Sequence, residues 1–211
     1  MTTRGFLPSV AWGVLLLLFG LLGPEGASAQ EPPDALQMYR EGRYTEAVET
    51  TRAELNENPN NMNAYSVLGW SLLALNRYQD AVEYGSAALQ VSRFDHRILH
   101  ILGEANFRLG NDIEALERFQ EYISVAPQGS LVPQVYRNMG EILIRIGEYN
   151  RADIALSTAV HHNGANSGWW ARLGYAREQA AEDDGARAAY EQALELNPND
   201  SAAREGLARI E

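Results

Sequence analysis

The 211-residue chain contains no cysteine. That excludes disulfides, thiol nucleophiles, thiolate metal sites and the lipid-bearing cysteine of a bacterial lipoprotein. Positive charge is also scarce: 17 Lys and Arg against 28 Asp and Glu leave a formal charge of −11. So acidic a surface disfavours nucleic acid and anionic lipid headgroups as partners, and it keeps an elongated molecule in solution. Histidine is limited to four residues. His96 and His100 stand four apart, a spacing at which a helix could share a metal, but no third ligand is near in sequence. Carboxylates such as Glu114, Glu117 and Glu121 are spread as a solvated face. The chain has no glycine-rich phosphate loop, no Ser/His/Asp order with its elbow and no glutamate pair in an apolar cleft. The expectation is a non-catalytic protein with no metal and no cofactor.

The N-terminus reads differently from the rest. Arg4 precedes the apolar run Val10 to Leu22, followed by Pro24, Gly26 and Ala27-Ser28-Ala29. A positive start, a short apolar core and a small-x-small end make residues 1–29 a secretory signal peptide cleaved after Ala29. The run is shorter than the roughly 20 residues a membrane span needs. An uncleaved anchor is the alternative. No later segment is apolar enough to cross a bilayer, so the mature chain carries no expected transmembrane segment. With no cysteine, the exported chain fits a bacterial periplasm.

Residues 30–211 are periodic. Leu68-Gly69, Leu102-Gly103, Met139-Gly140 and Leu173-Gly174 recur at intervals of 34, 37 and 34 residues. Ala47, Ala81, Ala115, Ala152 and Ala186 keep the same beat at 34, 34, 37 and 34. A period of this length marks a solenoid of stacked two-helix units. Five units tile the sequence at 28–61, 62–95, 96–129, 133–166 and 167–200, with a capping helix at 201–211. The 37-residue step reflects three extra residues, Ser130-Leu131-Val132. Helix breaks carry Gly42, Asn76, Gly110 and Gly147, and a further one falls near Ala181 to Asp184; the glycines and Asn76 tolerate a left-handed backbone. Pro59, Pro127 and Pro198 close three units. Asp34 is placed as an N-cap.

The landmarks have a steric reading. A mid-helix glycine costs roughly 1 kcal/mol relative to alanine, which is acceptable where two backbones approach closely. The alanines would serve the facing helix in the same way, with Phe119, Leu156 and Tyr190 filling wider space one turn later. His161 and His162 should face different directions and place favourable charge at a helix C-terminus. Of Trp169 and Trp170, one should pack and the other stay partly exposed.

These units resemble tetratricopeptide repeats, whose pattern runs aromatic, Leu-Gly, aromatic, then Ala, aromatic and Pro. The last unit matches at Trp170, Leu173, Gly174, Ala186, Tyr190 and Pro198, with Arg177 where an aromatic is usual. The second has Tyr65, Leu68, Gly69, Leu72 and Ala81, with Gly85 in place of the aromatic and Arg93 in place of the proline. The third has Leu99, Leu102, Gly103, Ala115, Phe119 and Pro127; the fourth has Tyr136, Met139, Gly140, Ala152 and Leu156, with Gly164 instead of proline. The first is degenerate, keeping Tyr44, Ala47 and Pro59. The resemblance implies an all-α, right-handed α-α superhelical solenoid of five helix pairs plus a C-terminal capping helix, after the signal peptide.

In that family the first helix of each unit lines a concave groove that holds a peptide or a partner helix. Once the Leu-Gly stripe is buried, the groove-facing residues are Ser66, Trp70 and Leu73, then His100, Glu104, Phe107 and Arg108. The fourth unit adds Arg137, Glu141, Ile144 and Arg145, and the fifth adds Arg172, Tyr175 and Gln179. Aromatic anchors and arginines that grip carboxylates suit a peptide ligand. Equally, the charged residues could form solvated ion ladders at helical spacing. The lysine and asparagine pairs of the family's chaperone-tail clamp are absent. The expected function is a protein-interaction scaffold of the bacterial envelope. A self-associating homo-oligomer and a substrate-positioning accessory of an envelope enzyme are the alternatives.

Overall fold

The computed structural model describes residues 1–2 and 34–210; all but the first two residues of the expected signal peptide lie outside the described residues. The described part is helical, with eleven helices and no strand among the described residues. They run as pairs: α1 (Ala35–Arg40) with α2 (Tyr44–Glu57), α3 (Met62–Ala74) with α4 (Tyr78–Val91), α5 (His96–Leu109) with α6 (Asp112–Val125). Then follow α7 (Val132–Arg145) with α8 (Tyr149–His162), α9 (Ser167–Gln179) with α10 (Asp183–Leu196), and a final α11 (Ser201–Ile210). Among the described residues no helix is long and apolar enough to cross a membrane.

Local chemistry sets the pairs. Four odd-numbered helices begin on a side-chain cap: Asp34, Asn61, Asp95 and Asn166 each accept a hydrogen bond from backbone N–H groups of the first turn. Such a cap contributes about 1 kcal/mol. Asp200 does the same for Ala203 of α11 at 3.2 Å. The exception is α7, where the three-residue insertion puts Leu131 at the cap position and Pro133 in the first turn. The hairpin turns inside the pairs need a left-handed residue, supplied at Gly42, Asn76, Gly110, Gly147 and Ala181, with φ of 78, 57, 78, 79 and 61°.

Consecutive helices pack on each other, and odd helices also touch the next odd helix along the whole row from α1 to α11. No two even helices meet. The stack therefore bends with the odd helices on its inner wall and the even ones splayed outside, so unit-to-unit packing supplies the core. Ala47, Ala81, Ala115, Ala152 and Ala186 are all fully buried.

The glycines play a part different from the expected one. They are seats for large side chains rather than points of backbone contact. A Cβ on Gly103 would lie 2.5 Å from the Phe119 ring, one on Gly140 2.5 Å from Leu156, and one on Gly174 2.6 Å from the Tyr190 ring. Phe119, Leu156 and Tyr190 thus rest on the glycine itself instead of filling space beyond it. The second unit, which lacks the large residue, is completed by its successor. Ile101 of α5 sits on Gly69 and Leu102 sits on Gly85, at 2.7 and 2.8 Å from the would-be Cβ atoms. His161 and His162 also depart from expectation: their rings pack edge to face at 5.7 Å instead of diverging. Trp169 and Trp170 are both half-buried against the core, and Trp170 Nε1 donates to the Gly164 carbonyl at 2.9 Å.

Candidate partner-binding groove

The inner wall divides into an apolar half and a charged half. In the first, α1, α3 and α5 form a trough of about 600 Å³ lined by Leu36, Tyr39, Trp70, Leu73, His100 and Leu131, among others. The Trp70 ring lies 5.8 Å from that of Tyr39, close enough for the aromatic attraction that fixes both rings. A second cavity of about 370 Å³ lies on the other flank of Trp70, bounded by Asp34, Glu54, Asn63 and Arg97. Burial, reinforced by the nearby Asp34 charge, raises the Glu54 carboxyl above its ordinary value.

Leu131 was not among the expected groove residues. It stays 40% exposed because it occupies the cap position where the other odd helices carry Asp or Asn, and its side chain is left to project into the trough. The only sequence signal was the insertion that breaks the 34-residue beat. Leu36 and Tyr39 were missed because their unit has no Leu-Gly pair to set the register.

His100 joins the two halves. It packs edge-on against Tyr122 at 5.9 Å, with His96 on the same ring at 6.5 Å. Its Nδ1 is buried without a hydrogen-bond partner. Burial lowers the imidazole below its ordinary value, with the Glu104 carboxylate pulling the other way. Among the described residues no cluster of three or more His, Cys, Asp or Glu could hold a metal.

The charged half begins one turn later. Glu104 accepts from Arg108 Nε at 2.8 Å and from Asn138 Nδ2, on the next odd helix, also at 2.8 Å. Arg172 grips both oxygens of Glu141 at 2.9–3.1 Å. Arg145 binds Asp112 and lays its guanidinium over the Phe107 ring, 4.6 Å from the centroid. Arg172 covers Tyr175 in the same way at 5.0 Å. One polar contact crosses each odd–odd joint after the first: Arg97 to Asn63 at 2.9 Å, Asn138 to Glu104, Arg172 to Glu141, and Arg209 to Glu178 at 2.6 and 2.8 Å. The ion ladder thus exists, but it runs mainly between units. Arg137 is the exception: Glu141 is 3.9 Å away, Nη1 reaches Asn138 Oδ1 at 3.1 Å, and Nε is buried without a partner. Ser66, expected on the wall, is only 1% exposed, with its hydroxyl turned to the Met62 carbonyl at 2.8 Å.

Two family profiles, both described as tetratricopeptide repeat, match residues 35–96 and 167–210. The chain belongs to the tetratricopeptide repeat family. The BBSome complex member BBS4 homolog of Drosophila melanogaster is 26% identical over 135 residues, covering 60% of this chain and 28% of that protein. The chain therefore spans little more than a quarter of that relative's length. A crystal structure of MamA superposes with a TM-score of 0.69 at 20% identity, over 79% of this chain and 90% of that one. YrrB, described as a TPR protein with an unusual peptide-binding site, superposes at 0.71 with 15% identity, over 81% and 87% of the two chains. At such identities the likeness is one of fold.

Proposed function

We propose that this protein is an exported, non-catalytic scaffold of the bacterial envelope that holds a peptide or helix of a partner protein in its concave groove. One observation carries this reading: Tyr39, Trp70, Leu73 and Leu131 converge on an open trough of about 600 Å³ that no other part of the described chain fills. Aromatic side chains gathered on a concave wall, with fixed polar groups beside them, are what an interaction surface uses for anchoring. The peptide-binding site named for YrrB is in keeping with it. Export rests on residues 1–29, whose order of charge, apolar run and small residues is that of a cleaved leader. The concave wall has Trp70, Leu73, His100, Glu104, Phe107 and Arg108 toward one end, and Arg137, Glu141, Arg145, Arg172 and Tyr175 toward the other.

The test is a paired change, Trp70→Ala with Arg137→Ala, followed by crosslinked capture from the native envelope. Capture should be lost while the far-ultraviolet spectrum keeps its helical form. Unchanged capture by the double variant would refute the groove. N-terminal sequencing of the periplasmic fraction should begin at Gln30; recovery of an intact Met1 in the membrane would refute the cleaved leader.

A further inference from the structure

We infer that the groove is selective for an acidic segment with an apolar anchor: an apolar side chain enters the trough between Trp70 and Leu131, and a neighbouring carboxylate meets Arg137. This rests on the proposed reading of the concave wall as the binding face and adds the chemistry of what binds there.

Two independent features point to it. The trough walls are apolar apart from Arg40 and His100, so the group that enters without desolvation loss is apolar. Of the four groove arginines beyond His100, three hold a carboxylate closely: Arg108 has Glu104, Arg145 has Asp112 and Arg172 has Glu141. Arg137 lacks one. Both oxygens of its neighbour Glu141 are gripped by Arg172, yet the Arg137 side chain is still 31% exposed. A guanidinium offers five N–H donors, and here one of them reaches Asn138 while Nε has no partner. A ligand carboxylate would supply what the fold withholds, and a paired charge of this kind is stronger than a neutral hydrogen bond.

The two features are continuous. His100 lines the trough, Glu104 stands one turn further along α5, and Asn138 joins Glu104 to the Arg137 segment of α7. Every one of the 17 basic residues is arginine, since the chain has no lysine, and the net charge is −11. A basic ligand would find carboxylates over most of the surface. A carboxylate finds an under-paired arginine beside an apolar trough at this place.

The test uses fluorescence anisotropy with synthetic peptides of about twelve residues, a length that extended chain makes sufficient to cross several units. One alternates leucine with aspartate; three counterparts carry asparagine for aspartate, lysine for aspartate, or serine for leucine. The leucine–aspartate peptide should bind at least about tenfold more tightly than the asparagine version, a ratio that corresponds to about 1.4 kcal/mol. The lysine and serine versions should bind more weakly still. In Arg137→Gln the aspartate peptide should lose its advantage over the asparagine one; Arg137→Lys should keep part of the preference. Leu131→Ser should weaken both leucine peptides alike. Thermal unfolding of each variant separates loss of binding from loss of fold. Equal binding of aspartate and asparagine peptides, or a preference that survives Arg137→Gln, would overturn the acidic selectivity and leave the groove standing. Failure of every peptide to bind would sink both.

Discussion

Arg172 on α9 closes on Glu141 of α7 through two side-by-side hydrogen bonds. The same kind of contact recurs at the joints on either side, between Asn138 and Glu104 and between Arg209 and Glu178. A solenoid has no closed core, so contacts of this sort fix the angle between one unit and the next. Arg172 is about a third exposed, which limits what the pair contributes in water. Arg172→Ala should lower unfolding stability by about 1 kcal/mol. A double-mutant cycle with Glu141→Ala in urea should return a positive coupling energy. Strict additivity would show that the pair is incidental.

The glycine seats predict a ranking. Gly174→Ala and Gly103→Ala would drive a methyl into the rings of Tyr190 and Phe119, which are fully buried and cannot turn aside. Each should lose about 2–3 kcal/mol, the range for overpacking a core. Gly69→Ala meets the Ile101 methyls at longer range, 2.7 and 2.9 Å, and should lose less. Denaturant midpoints measured for the three variants check the order; a Gly69 variant as damaged as the others would contradict it.

Ala181 holds the left-handed turn that glycine serves in three other units, with φ of 61°. A side chain there costs roughly 1–2 kcal/mol, of which glycine's extra freedom in the unfolded chain returns a part. Ala181→Gly should therefore raise the melting temperature modestly. Gly147→Ala, at φ 79° with no atom near its would-be Cβ, should lower it by strain alone. A lowered melting temperature for the first variant would refute the argument.

His100 sets a pH dependence. Burial lowers its imidazole, against the pull of Glu104, below the ordinary value of 6.5. The unfolded chain then takes up a proton there that the folded chain refuses. Stability is therefore full above pH 6.5 and declines as pH falls below it. The Glu178 carboxyl, held below the ordinary 4.5 mainly by its bond from Arg209, adds its own loss only at lower pH. In His100→Gln the decline between these two ranges should be shallower. An identical slope in the two proteins would show that His100 is not its source.

Much of this architecture was legible in the sequence. The beat of Leu-Gly pairs and alanines locates the helices, and tolerance of a left-handed backbone marks the turns at Gly42, Asn76, Gly110 and Gly147, though not the one at Ala181. The groove stripe is an expectation from helical spacing; Ser66 of that stripe is buried, while contacts join Asn138 to Glu104 and to Arg137, and Arg172 to Glu141. What spacing could not give was partner choice. Glu104 lies four residues from Arg108 and Glu141 four from Arg137, so a ladder within each helix is the natural expectation. Stacking instead brings Glu141 within reach of Arg172, and that grip leaves Arg137 short of a carboxylate. Nor could spacing tell that Gly85 would be covered by Leu102 of the following unit.

The sequence by itself determined the repeat, the number of helix pairs and the positions of the turns, because each depends on residues near one another along the chain. Only the tertiary structure decided that Leu131 enters a trough with Trp70 and that Arg137 is left open. Both follow from how tightly neighbouring units pack and how far an insertion displaces one of them. Those are distances in space, and a one-dimensional period does not contain them.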